Sequence, residues 1–110
     1  MSIFKQATKG AGAIAAVVEV PISQIYKIEH VTLHLSAAPT TSEDFTITLD
    51  ANAGAAYDTL LQTTDLSSSS TTDLVWYPDA SLHLTGGDAL DIEYLNTDGA
   101  LYGLEVVWSC

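Results

Sequence analysis

Short segments in which hydrophobic and polar residues alternate recur along the chain from Ala13 onward, and they predict β-strands. The clearest is Asp44–Asp50, where Phe45, Ile47 and Leu49 alternate with threonines. Similar segments occupy 89–95 and 101–108. A helical period is not maintained anywhere for longer than a turn or two. The alternation therefore predicts an all-β domain of about eight short strands.

Turn signals separate these segments at intervals of roughly 8–12 residues, which is typical of an antiparallel sandwich or barrel. Gly86-Gly87-Asp88 and Asp98-Gly99 are the strongest, because these residues tolerate positive φ angles. For one domain of 110 residues, an eight-stranded jelly roll is the first prediction. An immunoglobulin-like sandwich is the second, although the Cys–Trp–Cys pattern of that fold is missing from the sequence.

The segment 25–36 changes phase within one predicted strand. Tyr26 and Ile28 fall on the opposite parity to the aliphatic residues that follow them. A β-bulge near Glu29–His30, or a bend that carries the strand between two sheets, accounts for the change.

Hydrophobic residues that lie off the inward phase have no place in a core that covers one side of each strand. We predict that they contact a partner or a second copy of the chain. These candidates are Tyr26, Ile28, Leu95, Leu101 and Val107.

Residues 1–12 show neither period and end in Gly10-Ala11-Gly12. They are predicted to form a flexible, extended N-terminal arm, and residues 13–110 the jelly-roll domain. Ile3 and Phe4 would act as apolar anchors and Lys5 and Lys9 as charged contacts when the arm becomes ordered on a partner.

The charge of the chain narrows the choice of partner. The chain contains fourteen acidic residues and three lysines, which gives a net charge of -11. Such a protein is repelled by nucleic acid and by anionic membranes, so neither is expected as a partner. The longest apolar runs are far shorter than the ~20 residues that span a bilayer. Cys110 is the only cysteine, so an internal disulfide is not expected, which fits folding in a reducing cytoplasm.

The sequence offers no constellation that carries chemistry. Gly10-Ala-Gly-Ala-Ile-Ala15 matches a dinucleotide-binding pattern, but it does not lie between a strand and a helix. His30 and His34 would lie about 13 Å apart on a strand, too far to share a metal ion. Asp91 and Glu93 are interpreted as solvated charges that discourage edge-to-edge pairing of sheets. We therefore predict no catalytic, cofactor-binding or metal-binding residues, and a protein that is not an enzyme.

From Leu74 onward, the sequence resembles the small capsid decoration (cement) proteins of tailed bacteriophages. The most specific piece is Leu82-x-Leu-x-x-Gly-Asp-x-Leu-x-Ile92, preceded by Leu-Val-Trp-Tyr-Pro and followed by Asn-Thr-Asp-Gly-Ala-Leu-Tyr-Gly-Leu-Glu-Val-Val-Trp. The resemblance implies a structural protein on the outer surface of the virion. Its partners would be the major capsid protein and further copies of itself, as a homodimer or homotrimer, with no cofactor.

An alternative function is a carbohydrate- or receptor-binding β-sandwich module of a virion or secreted protein. It requires aromatic residues such as Trp76 and Tyr77 to line an exposed groove. Because most aromatic residues share the parity of their aliphatic neighbours, the core is their first predicted location.

Overall fold

The computed structural model describes residues 2–78 and 82–110, and within them nine strands form two antiparallel sheets. The strands are β1 (Ile3–Gly10), β2 (Ile14–Glu19), β3 (Ile25–Leu35), β4 (Asp44–Asp50), β5 (Thr59–Asp65), β6 (Asp73–Trp76), β7 (His83–Thr85), β8 (Ala89–Tyr94) and β9 (Tyr102–Ser109). A 3-10 turn occupies Ala55–Tyr57. The predicted all-β sandwich is confirmed. No helix in the described ranges is long and apolar enough to cross a bilayer.

The strand order is that of a jelly roll. Sheet A has the order β1-β9-β3-β6, with β7 also paired to β3, and sheet B has the order β2-β8-β4-β5. The first strand thus pairs with the last and the second with the next to last, as in a long hairpin wrapped into two sheets. β6 pairs with residues 31–34 of β3 and β7 with residues 25–27. The two are halves of one interrupted edge strand.

The core lies between the inner faces of the two sheets. Phe45, Ile47 and Ile92 of sheet B meet Val31 and Val106 of sheet A, and each of the five is at most 1% exposed. Complete burial of such a side chain contributes roughly 1.5–3 kcal/mol. The alternation that predicted the strands therefore also identifies the residues that hold the sheets together.

The predicted β-bulge in β3 is present, because the register with β9 shifts between Ile28 and His30. The bulge turns Ile28 toward the core, where it is 2% exposed. It also places Tyr26 inward, half-buried and stacked on Trp108 with 5.1 Å between the ring centres. This corrects the expectation that Tyr26 and Ile28 are free to contact a partner.

The expectation that Val107 contacts a partner is also wrong. It has the outward parity that the sequence indicates, but it is only 7% exposed. The reason is its place in the interior strand β9, in register with Lys5 on one side and His30 on the other. Its neighbours leave little of the Val107 side chain for a partner.

The N-terminal segment also differs from the prediction. Residues 3–10 are the edge strand β1 and pair with β9 along their full length, from Ile3 opposite Ser109 to Gly10 opposite Tyr102. A flexible arm is therefore replaced by the first strand of the jelly roll. Its pattern escaped detection because the inward positions Gln6 and Thr8 are polar.

One glycine is required by close packing of two loops. A Cβ atom built on Gly86 would lie 2.0 Å from the carbonyl oxygen of Ile22. We expect Gly86→Ala to lower the free energy of unfolding by roughly 1–3 kcal/mol, because backbone atoms must move apart. Gly12→Ala is the matched control, since nothing lies within 4 Å of a Cβ there. Denaturant unfolding of both variants tests this, and equal stabilities would contradict the packing described.

Candidate partner-binding surfaces

Three loops meet at one end of the sandwich and form what we call the loop platform, residues 11–13, 36–43 and 95–101. Asn96 joins two of them. It is 4% exposed, and its Nδ2 donates to the carbonyl oxygens of Gly12 (3.0 Å) and Ala100 (2.9 Å). The φ angle of Asn96 is 51°, a conformation that asparagine tolerates better than most residues.

Two carboxylates join the third loop to the platform. Asp98 accepts hydrogen bonds from the backbone N–H groups of Thr40 (2.7 Å) and Thr41 (3.2 Å) and from both threonine hydroxyls. These bonds, the Thr41 hydroxyl foremost, lower the pKa of Asp98 from 3.8 to about 2. Glu43 accepts from the backbone N–H of Thr97 at 3.0 Å and also from its hydroxyl.

The platform presents two leucines to solvent. Leu95 is 70% exposed and Leu101 is 64% exposed, as expected for the contact candidates that the sequence singled out. The backbone of Leu101 is held on both sides, since its N–H donates to Ser36 Oγ (2.9 Å) and its carbonyl accepts from Ser36 N–H (2.8 Å). Leu95 lies beside Glu93 at the end of sheet B, and Leu101 lies beside Lys9 at the end of sheet A, so the loop platform presents one leucine next to each sheet.

β1 places the four predicted arm residues on two faces of sheet A. Phe4 points inward, 45% exposed, and stacks on Trp108 with 6.2 Å between ring centres. Ile3, Lys5 and Lys9 have the opposite parity and face outward. Ile3 is 59% exposed. Lys5 Nζ lies 3.3 Å from a carboxylate oxygen of Glu105 on the neighbouring strand.

The two sheets differ sharply in charge. All three lysines lie in strands of sheet A, where three acidic residues accompany them. The strands of sheet B contain six acidic residues and no basic residue: Glu19, Asp44, Asp50, Asp65, Asp91 and Glu93. Burial, followed by the charges of Asp50 and Glu93, raises the pKa of Asp91. Sheet B is therefore the face from which another acidic molecule is repelled.

A shallow groove opens between the β5 and β6 edges of the two sheets. Its volume is about 340 Å³, and its lining includes Trp76, Tyr77, Pro78 and Gln62. Tyr77 is 68% exposed, whereas Trp76 is half-buried against the core. The predicted core location thus holds only in part for Trp76 and not for Tyr77.

The three histidines lie in sheet A, His30 and His34 in β3 and His83 in β7. His34 Nδ1 lies 2.6 Å from Asp73 Oδ1, and His30 packs its ring against Tyr77. In residues 2–78 and 82–110, no group of three or more His, Cys, Asp or Glu side chains is placed to hold a metal ion.

Asp91 and Glu93 do not protect a sheet edge, because β8 lies between β2 and β4. Other carboxylates missed by sequence reasoning act as loop supports. Asp88, for example, accepts from the backbone N–H groups of Asn52 and Thr85, each at 2.9 Å. These partners are distant in sequence or hidden in turns, so spacing gave no signal for them.

Comparison with known proteins finds a likeness in structure but none in sequence. No protein-family model matches the chain, and no curated protein matches it. A similar chain occurs in a solved structure described as "Acidic stable capsid structure of Helicobacter pylori bacteriophage KHP30". The TM-score is 0.47 at 12% sequence identity, over 96% of this chain and 92% of that chain. A likeness at that level establishes no shared role.

The bonds to Asp98 generate a pH-dependent prediction. Its pKa is lower in the folded chain than in the unfolded one, so its ionised form stabilises the fold at pH values above about 4. We expect Asp98→Asn to lower the melting temperature at pH 7. The difference from wild type should shrink as the pH falls through about 2, where Asp98 itself becomes protonated. Thermal unfolding at pH 7, 4 and 2 measures this.

Asp91→Asn is the control with the opposite sign. Because the folded state raises the pKa of Asp91, its charge opposes folding at pH 7, and its removal should raise the melting temperature. These assignments would be contradicted if Asp98→Asn lowered the melting temperature equally at every pH, or if Asp91→Asn lowered it at pH 7.

Proposed function

We propose that this chain is a non-enzymatic structural protein that binds the outer surface of a phage head as an oligomer and stabilises the head. The sequence resemblance to capsid decoration proteins supports this function. The observation that carries the proposal in the structure is the loop platform, which presents Leu95 and Leu101 on a hydrogen-bonded base. In this proposal the loop platform is the surface that binds the capsid.

A platform of this kind is suited to protein contact. A loop backbone that is already held by hydrogen bonds does not have to be ordered when a partner binds, so the entropy cost of binding is lower. The platform carboxylates Glu43 and Asp98 already accept hydrogen bonds from Thr97, Thr40 and Thr41. Docking therefore does not leave them without donors.

Binding to a lattice needs only modest affinity at each contact. When an oligomer engages several capsid subunits at once, the second contact becomes effectively intramolecular and the complex is held by avidity. A protein that binds assembled shells but not free subunits stabilises the assembled state by mass action. This is the proposed mechanism of head stabilisation.

Removal of the two leucines should weaken particle binding. We expect Leu95→Ser with Leu101→Ser to reduce co-sedimentation with undecorated phage particles by at least about tenfold, because two apolar anchors are lost. Leu60→Ser is the control, since Leu60 is 55% exposed but lies in β5 opposite Thr48 of β4, outside the loop platform. Failure of the wild-type protein to co-sediment would overturn the proposed function. If the Leu60→Ser variant lost as much co-sedimentation as the double variant, the loop platform would not be the surface that binds the capsid.

The groove beside Trp76 and Tyr77 favours a second candidate function, carbohydrate binding. Aromatic faces stack on sugar rings, and an amide such as that of Gln62 can bind a hydroxyl. This candidate ranks second for two reasons. Trp76 packs partly against the core, and the Gln62 amide already donates to the Thr64 hydroxyl at 2.7 Å.

A glycan array tests the second candidate. If it is correct, the wild-type protein gives a reproducible hit that Tyr77→Ala abolishes. Tyr57→Ala is the control, because Tyr57 is 65% exposed and lies outside the groove. An array without hits, or a hit that both variants retain, would rule out this groove as a sugar site.

A further inference from the structure

The outer edge of β1 is an unused row of backbone hydrogen-bonding groups. Ser2 and Cys110 exchange both N–H to carbonyl bonds, each 3.1 Å long. Since bonded and non-bonded pairs alternate along an antiparallel ladder, the even-numbered residues of β1 bond to β9. The N–H and carbonyl groups of Ile3, Lys5, Ala7 and Lys9 therefore point away from the sheet. Within the described residues, no strand lies beyond β1 in sheet A.

The other edges of the sandwich are shorter or interrupted. β2 has six residues and is followed by Pro21, and its Val17 carbonyl already accepts from Gln6 Nε2 at 3.1 Å. β5 has a register shift against β4. β6 and β7 have four and three residues. β1 has eight residues, with no proline and no register shift against β9. Natural proteins prevent edge pairing with short strands, proline, bulges and charged side chains, especially lysine. Of these features β1 has only its two lysines, and on a chain with a net charge of -11 they lower the repulsion between copies.

Charge favours the same edge for contact between two copies. Each copy has a net charge of -11, so two copies repel one another in most orientations. β1 contains two lysines and no acidic residue, whereas the edge strands β2, β5 and β6 each contain an acidic residue and no lysine. Approach along β1 therefore places the least negative charge at the contact.

We propose that β1 pairs antiparallel with β1 of a second copy across a two-fold axis at Gln6, so that sheet A continues through a homodimer. In this register Ile3 lies opposite Lys9 and Lys5 opposite Ala7 of the second copy. All four unpaired residues of each edge are used, giving about eight backbone hydrogen bonds. Shifting the register by two residues in either direction places Lys5 opposite Lys5 or Lys9, which like-charge repulsion disfavours.

The same register brings opposite charges together on the outer face. Ala7 is the neighbour of Glu105 across the β1–β9 ladder. Lys5 of one copy therefore faces the small Ala7 of the other, with Glu105 of that copy on the next strand. A lysine side chain is long enough to reach across an alanine, so each Lys5 gains a second carboxylate partner. Ile3, now 59% exposed, is covered by the aliphatic part of Lys9.

This inference deepens the oligomeric part of the proposed function by naming the contact between copies. It is tested on the isolated chain, without particles. If the chain did not bind particles, the dimer could still form. If the dimer did not form, the loop platform could still bind particles, because co-sedimentation tests that binding separately.

The first experiment measures molecular mass as a function of concentration by sedimentation. The wild-type chain should approach twice 11.7 kDa in the upper micromolar range. Ala7→Pro removes one outward N–H from each copy at the centre of the contact, which an edge strand tolerates, and should weaken dimerisation by at least about tenfold. Ala15→Pro is the matched control on the β2 edge and should dimerise as wild type. A wild-type monomer at all concentrations, or equal dimerisation of Ala7→Pro, overturns the proposal.

The second experiment tests the register by cross-linking in a Cys110→Ser background. Gln6 faces itself across the axis as a non-hydrogen-bonded pair, in which the Cα atoms lie about 4.5 Å apart. That distance suits a disulfide, so Gln6→Cys should form a covalent dimer under mild oxidation. Thr8→Cys, which would face Phe4, should not. The reverse result would overturn the register. Circular dichroism of all variants verifies that the β-fold is kept.

Discussion

Because β1 pairs with β9 along its full length, the first and last strands of the chain close the jelly roll together. The ladder holds Phe4 against Trp108, and Trp108 in turn supports Tyr26. It also fixes which backbone groups of β1 are used inside the sheet and which remain free. Without this ladder, β9 would be the edge of sheet A and its hydrophobic residues would lose their cover. The N-terminal segment is thus part of the folding unit as well as a surface for contact.

The alternation of residues predicts most of the fold, and its failures have identifiable causes. Phe45 and Ile47 are buried as predicted, and the phase change in β3 is the bulge at Ile28. The alternation does not reveal β1, because this edge strand extends past the core and its inward positions need not be apolar. At one of these positions, the Gln6 side chain donates a hydrogen bond to the carbonyl of Val17 on the other sheet. Val107 shows a second limit: parity gives the direction of a side chain, but not whether its neighbours cover it.

The candidate surfaces were predicted less completely than the fold. Leu95 and Leu101 could be singled out because they break phase beside a turn. Their presentation could not, because it depends on contacts between residues far apart in sequence, such as Asp98 with Thr40 and Glu43 with Thr97. In those contacts carboxylates accept backbone N–H groups that the loops would otherwise leave unpaired. The acidity of the chain therefore has a structural role in the loops in addition to its effect on solubility.

Residue-resolved amide hydrogen exchange across β1 tests the central claim most directly, namely that this segment is a strand of the fold with a free outer edge. At low concentration, the N–H groups of Phe4, Gln6 and Thr8 should exchange slowly because β9 binds them, while those of Lys5 and Ala7 exchange fast. At high concentration, Lys5 and Ala7 should also become protected as two copies pair. Uniformly fast exchange across residues 3–10 at every concentration would contradict the account.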